Sequence, residues 1–440
     1  MSRGTPSAQL ARRIQARTAR IGVIGLGYVG LPLAVEFAKE GFRVTGIDLD
    51  AKRVRGVNVG RSYILDVPSQ DLQRLRRAGR LRATASFDAL SRQDAVIICV
   101  PTPLRKTREP DMSYILSSTA EIAKHVRRGQ LIVLESTTYP GTTEEVILPA
   151  LEARGLKVGR EFFLAFSPER IDPGNATYTT RTIPKVIGGV TPQCTALARA
   201  LYGSAIHRTV PVSSSKVAEM VKLLENTFRA VNIGLVNEIA LICDRLGIDV
   251  WEVINAAKTK PFGFMPFYPG PGIGGHCIPS DPVYLAWKVR VHGFEARFIE
   301  LATQINGAMP EYVVEKIARV LNDRRKSLKG ARVLLLGLAY KKDVGDLRDA
   351  PAFDVARLLE ERGALISYHD PHVPSTELNG RRRSSVALSR STLQSADCIV
   401  LLTDHSAVDY AFVLRHAPVI VDTRNQYGAL ARRSSRVVKL

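Results

Sequence analysis

Cysteine is scarce and scattered: the 440-residue chain has five, Cys99, Cys194, Cys243, Cys277 and Cys398, with no CxxC pair. That argues against a disulfide framework and a structural zinc site, and it fits a reducing, cytoplasmic setting. There is no HExxH, no His pair and no carboxylate cluster, so no metal is expected. No apolar run approaches the ~20 residues of a membrane helix, and no signal-peptide pattern opens the chain. Membrane insertion is therefore not expected. Aromatics make up 7% and do not interleave with the basic stretches near residues 3–20, 74–82, 324–329 and 381–383. With no nucleic-acid-binding signature, nucleic acid is not the expected partner.

Positive charge is plentiful. Lys and Arg total 62 against 42 Asp and Glu, a net +20, which is compatible with nucleic acid, an anionic membrane surface or a polyanionic small substrate. A phosphate-bearing substrate needs only two or three of these charges. The length implies two or three domains. Residues 1–20 are polar and Arg-rich, and read as a flexible basic extension.

Residues 20–24 form a short apolar run that enters Gly25-Leu-Gly27-Tyr28-Val29-Gly30, and a helical pattern follows over 31–39. Gly41 ends it, and a second strand over 43–47 finishes at Asp48. This is a βαβ unit carrying GxGxxG: two glycines allow close approach of a pyrophosphate to the helix N-terminus, and the third lets helix pack on strand. Asp48 is placed to bond the ribose hydroxyls, which favours NAD over NADP. Continuous apolar runs at 95–100, 131–134 and 162–166 read as buried parallel strands. Ligands sit beyond the carboxyl ends of such strands, so Thr102, Thr137 and Thr138 are expected in the crevice.

Residues 213–246 read as one long helix, with Val217, Met220, Val221, Leu224, Phe228, Val231, Leu235, Ile239 and Ile242 at 3–4 spacing. So broad a stripe predicts a domain connector and a homodimer interface. Lys222 and Asn226 share one of its faces. After residue 331 a second α/β half begins, without GxGxxG but with Lys341 and Lys342 directly after a strand end. It reads as a phosphate or nucleotide binder.

Between the halves, residues 270–281 read GPGIGGHCIPSD. Gly272, Gly274 and Gly275 can take unusual backbone angles and let a ligand approach. Cys277 is then exposed to amide dipoles, with Asp281 a candidate base. Alcohol–ketone dehydrogenases need no thiol, whereas oxidation of an aldehyde to an acid uses one: thiolate addition, hydride loss, thioester hydrolysis. The bland alternative is a buried structural thiol in an ordinary turn.

In these motifs the chain resembles the UDP-glucose/GDP-mannose dehydrogenase family, from Ile21 to about Tyr427. The resemblance implies two Rossmann-like doubly wound α/β domains joined by a long central helix and helical domain. The corresponding boundaries are 1–20 extension, 21–210 NAD-binding, 211–322 central, and 323–440 UDP-sugar-binding. It also implies oxidation of a UDP-sugar at C6 with two NAD⁺ reduced per turnover. By position, Cys277 is the nucleophile, Lys222 and Asn226 stabilise oxyanions, Asp281 and Thr138 handle water, and Glu169 is an acid/base candidate. Gly25, Gly27, Tyr28, Val29, Gly30, Asp48, Arg53, Thr102, Thr137 and Arg348 fall at NAD positions. Glu169, Arg170, Lys222, Asn226, Lys260, Tyr268, Gly272, Gly274, Tyr340 and Lys341 fall at substrate positions. The stretches 167–174 and 258–270 look like the subgroup acting on UDP-N-acetylglucosamine, whose product would feed surface polysaccharide synthesis. UDP-glucose and UDP-N-acetylmannosamine are the alternatives. Two other classes remain open: a two-electron hydroxyacid-type dehydrogenase, and a nucleic-acid binder on a retired enzyme scaffold.

Overall fold

The computed structural model describes residues 4–64, 66–105, 107, 109–171 and 177–440. The end of the expected 167–174 motif, Asp172–Gly174, lies outside them. The chain divides into two compact units: residues up to Glu225 with Trp287–Gly293, and Asn226–Ala286 with Phe294–Leu440.

The first unit is built on eight strands: β1 (Arg20–Ile24), β2 (Arg43–Ile47), β3 (Leu81–Thr84), β4 (Ala95–Ile98), β5 (Leu131–Leu134), β6 (Phe163–Phe166), β7 (Lys185–Gly189) and β8 (Thr209–Pro211). Their order is β3-β2-β1-β4-β5-β6-β7-β8. The strands from β3 to β6 run parallel, and β7 is antiparallel to β6. Alternate residues feed two apolar layers: Ile21, Val23, Ala95 and Ile97 enter one core, while Ile24, Val96 and Ile98 enter the other. This two-faced burial is what a doubly wound sheet requires.

The N-terminal stretch differs from expectation. Pro6–Gln15 is a helix, capped by the Thr5 side chain, with Leu10 and Ile14 buried on one face. These two and Ala19 belong to the first core, and the helix packs on Pro192–Tyr202. Arg13 reaches Asp94 at 2.6 Å, and Asp94 also takes the Arg20 amide and the Arg127 guanidinium. The flexible-extension reading is corrected for the described residues. An i,i+4 apolar pair was enough to anchor an Arg-rich helix.

The second unit holds β9 (Arg332–Leu336), β10 (Leu365–His369), β11 (Ser375–Leu378), β12 (Arg381–Ser384), β13 (Cys398–Leu401), β14 (Ile420–Asp422) and β15 (Val437–Lys439). Five of them make a parallel sheet in the order β10-β9-β13-β14-β15, and β11 and β12 form a hairpin. Here too alternation splits the strand: Val333 and Leu335 enter one core, Leu334 and Leu336 the other. The helix expected over 213–246 is Ser215–Leu246. A second long helix, Arg297–Asn322, runs on despite Pro310 within it. Among the described residues no helix is long and apolar enough to cross a membrane.

Candidate active site

In the first unit, β1 ends at Gly25, whose φ of 89° leaves no room for a side chain: a Cβ there would strike the Cys99 carbonyl. A Cβ on Gly30 would strike the Gly25 carbonyl, so the helix Gly30–Lys39 starts hard against the turn. Gly27 is the exception, because a Cβ there meets nothing within 4 Å. The turn is thus closed at two glycines and open at the middle one, which fits a diphosphate lying over the helix N-terminus. Tyr28 is exposed and Val29 half-buried beside that opening. Asp48 accepts from the amides of Leu26 (2.7 Å) and Asp50 (2.9 Å), and Arg53 stands 3.3 Å from it. The crevice rim is pinned by Ser136 Oγ, which donates to the Val100 carbonyl at 2.8 Å. Thr102 and Thr138 are buried and Thr137 half-buried on the two loops that rim connects. Thr138 Oγ1 has no hydrogen-bond partner among the described residues. These residues fit a dinucleotide, whose nicotinamide supplies a hydride acceptor when bound.

Glu169 follows β6. Its carboxylate accepts from the Arg170 and Ile171 amides at 2.8 and 2.9 Å, and from Lys185 at 2.8 Å. Burial alone would push this carboxyl up, but the Lys185 ammonium and the two amides outweigh it and hold it below the ordinary carboxylate range. The acid half of the acid/base expectation is therefore not what these surroundings favour. The Arg170 guanidinium forms a fork with Glu225 at 3.2 and 2.6 Å. One turn before Lys222, Glu219 is buried and accepts from the Gly141 and Thr143 amides and the Thr143 hydroxyl. Burial pushes its carboxyl up to about 7 against those bonds.

In the second unit the glycine loop leads into the helix Cys277–Arg290, so Cys277 is its first residue. The thiol is exposed, unlike those of Cys99, Cys194, Cys243 and Cys398. A helix N-terminus favours an anion, and the nucleophilic form of cysteine is the thiolate. Asp281 follows one turn later, is buried at 1% exposure, and accepts from Asn226 Nδ2 at 2.5 Å. Lys222, which belongs to the first unit, is buried one turn earlier on the helix that carries Asn226.

The loop glycines lie close against the chain itself. A Cβ on Gly274 would meet Tyr340 at 2.5 Å and the Asp349 carbonyl at 3.0 Å, and one on Gly275 would meet the Tyr340 ring at 2.9 Å. Gly272, at φ 130°, lies against Pro351. The loop is docked on the chain's own 340–351 segment, and the Gly275 amide donates to the Arg348 carbonyl at 2.9 Å. The Arg348 guanidinium grips Asp346. Lys341 is half-buried in that segment. Lys260 is exposed, its ammonium 5.0 Å from the Phe262 ring.

A cavity of about 370 Å³ is lined by Trp251, Asn255, Tyr268, Pro269, Asp404, Arg424 and Asn425. Tyr268 stacks on Trp251 with centroids 5.8 Å apart. Arg424 donates from Nε to the Leu402 carbonyl at 2.7 Å. Sequence reading found Tyr268 but missed Trp251 and Arg424. The one signal for Arg424 was its place just past a strand end, Asp422. Nearby, Asp343, His372 and His405 bring possible metal-binding atoms within 4.8 Å of one another, a grouping the sequence did not announce. Nδ1 of His405 accepts from the Asp343 amide and Nε2 meets Asp370, so both ring nitrogens already have partners.

Three models of one family match the chain in order: its NAD binding domain over residues 19–206, its central domain over 216–308 and its UDP binding domain over 334–429. The chain belongs to the UDP-glucose/GDP-mannose dehydrogenase family. It is 40% identical over 360 residues to the UDP-N-acetyl-D-glucosamine 6-dehydrogenase of Pseudomonas aeruginosa, covering 81% of this chain and 84% of that one. It is 37% identical to the UDP-N-acetyl-D-mannosamine dehydrogenase of Yersinia pestis, with 88% and 93% covered. The solved UDP-D-ManNAc dehydrogenase of Pyrococcus horikoshii superposes with a TM-score of 0.85 at 34% identity, over 92% of this chain and 95% of that one. The activity class of the chain is NAD-dependent UDP-sugar oxidation.

Proposed function

We propose that the chain oxidises C6 of UDP-N-acetylglucosamine from alcohol to carboxylate, through an aldehyde and a thioester on Cys277. The observation that carries this is Cys277 itself: an exposed thiol opening a helix, one turn from a buried Asp281 that is fixed by Asn226. The C6 alcohol gives up a proton and a hydride to become the aldehyde. The Cys277 thiolate adds to the carbonyl, and loss of a second hydride leaves the thioester. Water then cleaves the thioester, releasing the acid and restoring the thiolate. Lys222 and the second N–H of Asn226 stabilise the oxyanions, each worth ~2–4 kcal/mol. Asp281 and Thr138 hold the attacking water, and Glu169 acts as an ionised acceptor at the sugar.

The cavity at Trp251, Tyr268 and Arg424 suits a nucleotide base: two stacked rings, a guanidinium, and buried polar atoms of Trp251 and Asn425 without partners among the described residues. Lys341, Tyr340 and Lys260 are assigned to the remainder of the sugar nucleotide, and Arg348 to the cofactor diphosphate. Met220, Leu224, Phe228, Leu235 and Ile242 are exposed along the long helix, a stripe that supports assembly as a homodimer. The P. aeruginosa relative supports N-acetylglucosamine as the sugar, as do the sequence stretches 167–174 and 258–270. A screen of UDP-sugars with NAD⁺, followed by NADH absorbance, tests the assignment. UDP-N-acetylglucosamine is expected to give the highest kcat/KM; a higher value for UDP-N-acetylmannosamine or UDP-glucose overturns it.

A further inference from the structure

The sheet of the first unit has an irregularity with chemical consequences. Because β7 runs antiparallel to β6, its first residue, Lys185, comes to the edge where the parallel strands end. Glu135 follows β5 there and Glu169 follows β6. Lys185 is 3% exposed and bridges both carboxylates, Glu135 at 2.9 Å and Glu169 at 2.8 Å. Tyr202, on the helix Pro192–Tyr202, donates to the far oxygen of Glu135, and its ring lies 5.6 Å from the Lys185 ammonium.

We propose that Lys185 is a positioning residue of the active site, holding Glu169 as a fixed carboxylate acceptor through one leg of the Glu135–Lys185–Glu169 bridge. The inference rests on the reading of Glu169 as a group that acts at the sugar. A buried ammonium with one carboxylate partner is a simple ion pair. Here it has two, and only one of them, Glu169, stands in the motif that the substrate reading uses. Glu135 and Tyr202 supply the rigid back wall, so the ammonium cannot swing away from Glu169 without breaking a second buried bond.

The groups that face Glu169 are Lys185 from β7, Glu135 from the end of β5, the Tyr202 hydroxyl, the buried Cys99 thiol at the end of β4, and the amides of Arg170 and Ile171. The Arg170 side chain is turned to Glu225. Of all these, only Lys185 carries a positive charge at hydrogen-bond distance. Removing it leaves burial and the Glu135 charge to favour a protonated Glu169, which can no longer accept through both oxygens.

The test is the pH profile of kcat with UDP-N-acetylglucosamine and NAD⁺. Glu169→Gln is expected to cost about a hundredfold in kcat, as for loss of a proton-handling group. A wild-type rate there overturns the reading of Glu169 and this inference with it. Lys185→Met is expected to lose about tenfold at pH 6.5 and to recover toward pH 9, its acid limb displaced upward by about three units. Lys185→Arg should restore most of the rate. Should Lys185→Met fail to fold, Lys185→Met with Glu135→Gln removes one charge of each sign and serves in its place. On the Glu169→Gln background, loss of Lys185 should cost little more. If Glu169→Gln is impaired but the Lys185 variants keep the wild-type acid limb, or the losses multiply, Lys185 is structural and the inference fails alone.

Discussion

Each unit has a glycine that hands a strand to a loop, Gly25 after β1 and Gly337 after β9, and the two start alike. Both have positive φ, 89° and 81°, and a Cβ on either would strike a carbonyl of the neighbouring strand end, Cys99 or Thr403. Both are followed by a leucine whose amide donates to an aspartate ending the next strand: Leu26 to Asp48, and Leu338 to Asp370, each at 2.7 Å. Beyond that point they diverge. After Gly25 the helix begins at once, at Gly30; after Gly337 the next helix waits until Pro351. The intervening segment carries Tyr340, Lys341, Lys342 and Arg348. Asp48 keeps a solvent-facing arginine beside it, whereas Asp370 is sealed by buried His405 and the amides of Ala339 and His372. The same backbone hand-off therefore leads to a helix N-terminus in one unit and to a loop carrying basic side chains in the other.

The largest difference expected between the two is in stability. Asp370→Ala strands four buried or half-buried donors, from Leu338, Ala339, His372 and His405, and should cost about 4 kcal/mol in urea unfolding. Asp48→Ala strands only the Leu26 and Asp50 amides and should cost about half of that. Equal losses would erase the distinction drawn here.

Two buried carboxylates, one in each unit, also respond to pH in opposite directions. Glu219, in the first unit, is pushed up to about 7 from an ordinary 4.5. Its stabilising contribution is full below pH 4.5 and is lost as pH rises through about 7, a change of ~3 kcal/mol that Glu219→Gln should flatten. Asp370 is depressed to about 2 from 3.8: burial opposes the shift, and the bonds from His405 and the backbone amides override it. Its contribution is present above pH 3.8 and is lost as pH falls through about 2. Denaturant midpoints across pH 4–8, wild type against Glu219→Gln, measure the first slope directly. Parallel curves would contradict the burial argument.

The smallest effect concerns cofactor choice. Asp48→Asn removes the charge that repels a 2′-phosphate and releases Arg53 to meet one. The preference for NAD⁺ over NADP⁺ in kcat/KM should narrow about tenfold. An unchanged ratio would take Asp48 away from the ribose.

The first βαβ unit was readable residue by residue because turn chemistry, period and strand length agreed: β1, β2 and β5 have the expected bounds. What was missed has identifiable causes. The helix Arg297–Asn322 contains Gly307 and Pro310, which interrupt the local signal while burial of Met309, Val313, Ile317 and Leu321 sustains the fold. The helix Pro6–Gln15 offers only Leu10 and Ile14 against a run of arginines, and its stability comes from the core it covers. Cys277 and Asp281 stood out because glycine punctuation and four-residue spacing are local facts, whereas Asn226 took its expected role from the family resemblance alone. Lys185 and Arg424 were not, since any one cation among 62 looks like surface until the sheet shows what it touches. The antiparallel turn of β7 is a tertiary event that leaves no mark in Lys-Val-Ile-Gly-Gly itself.

The central claim is that Cys277 carries the second oxidation, and the most direct measurement is the acid formed when Cys277→Ala is given the C6 aldehyde of the UDP-sugar together with NAD⁺. The first hydride transfer is bypassed, and both nucleotide sites are left intact. The account predicts that the variant still binds NAD⁺ and the sugar nucleotide but forms the uronic acid several orders of magnitude more slowly than wild type, because no thioester can form. Acid production near the wild-type rate would contradict it and make Cys277 a structural thiol.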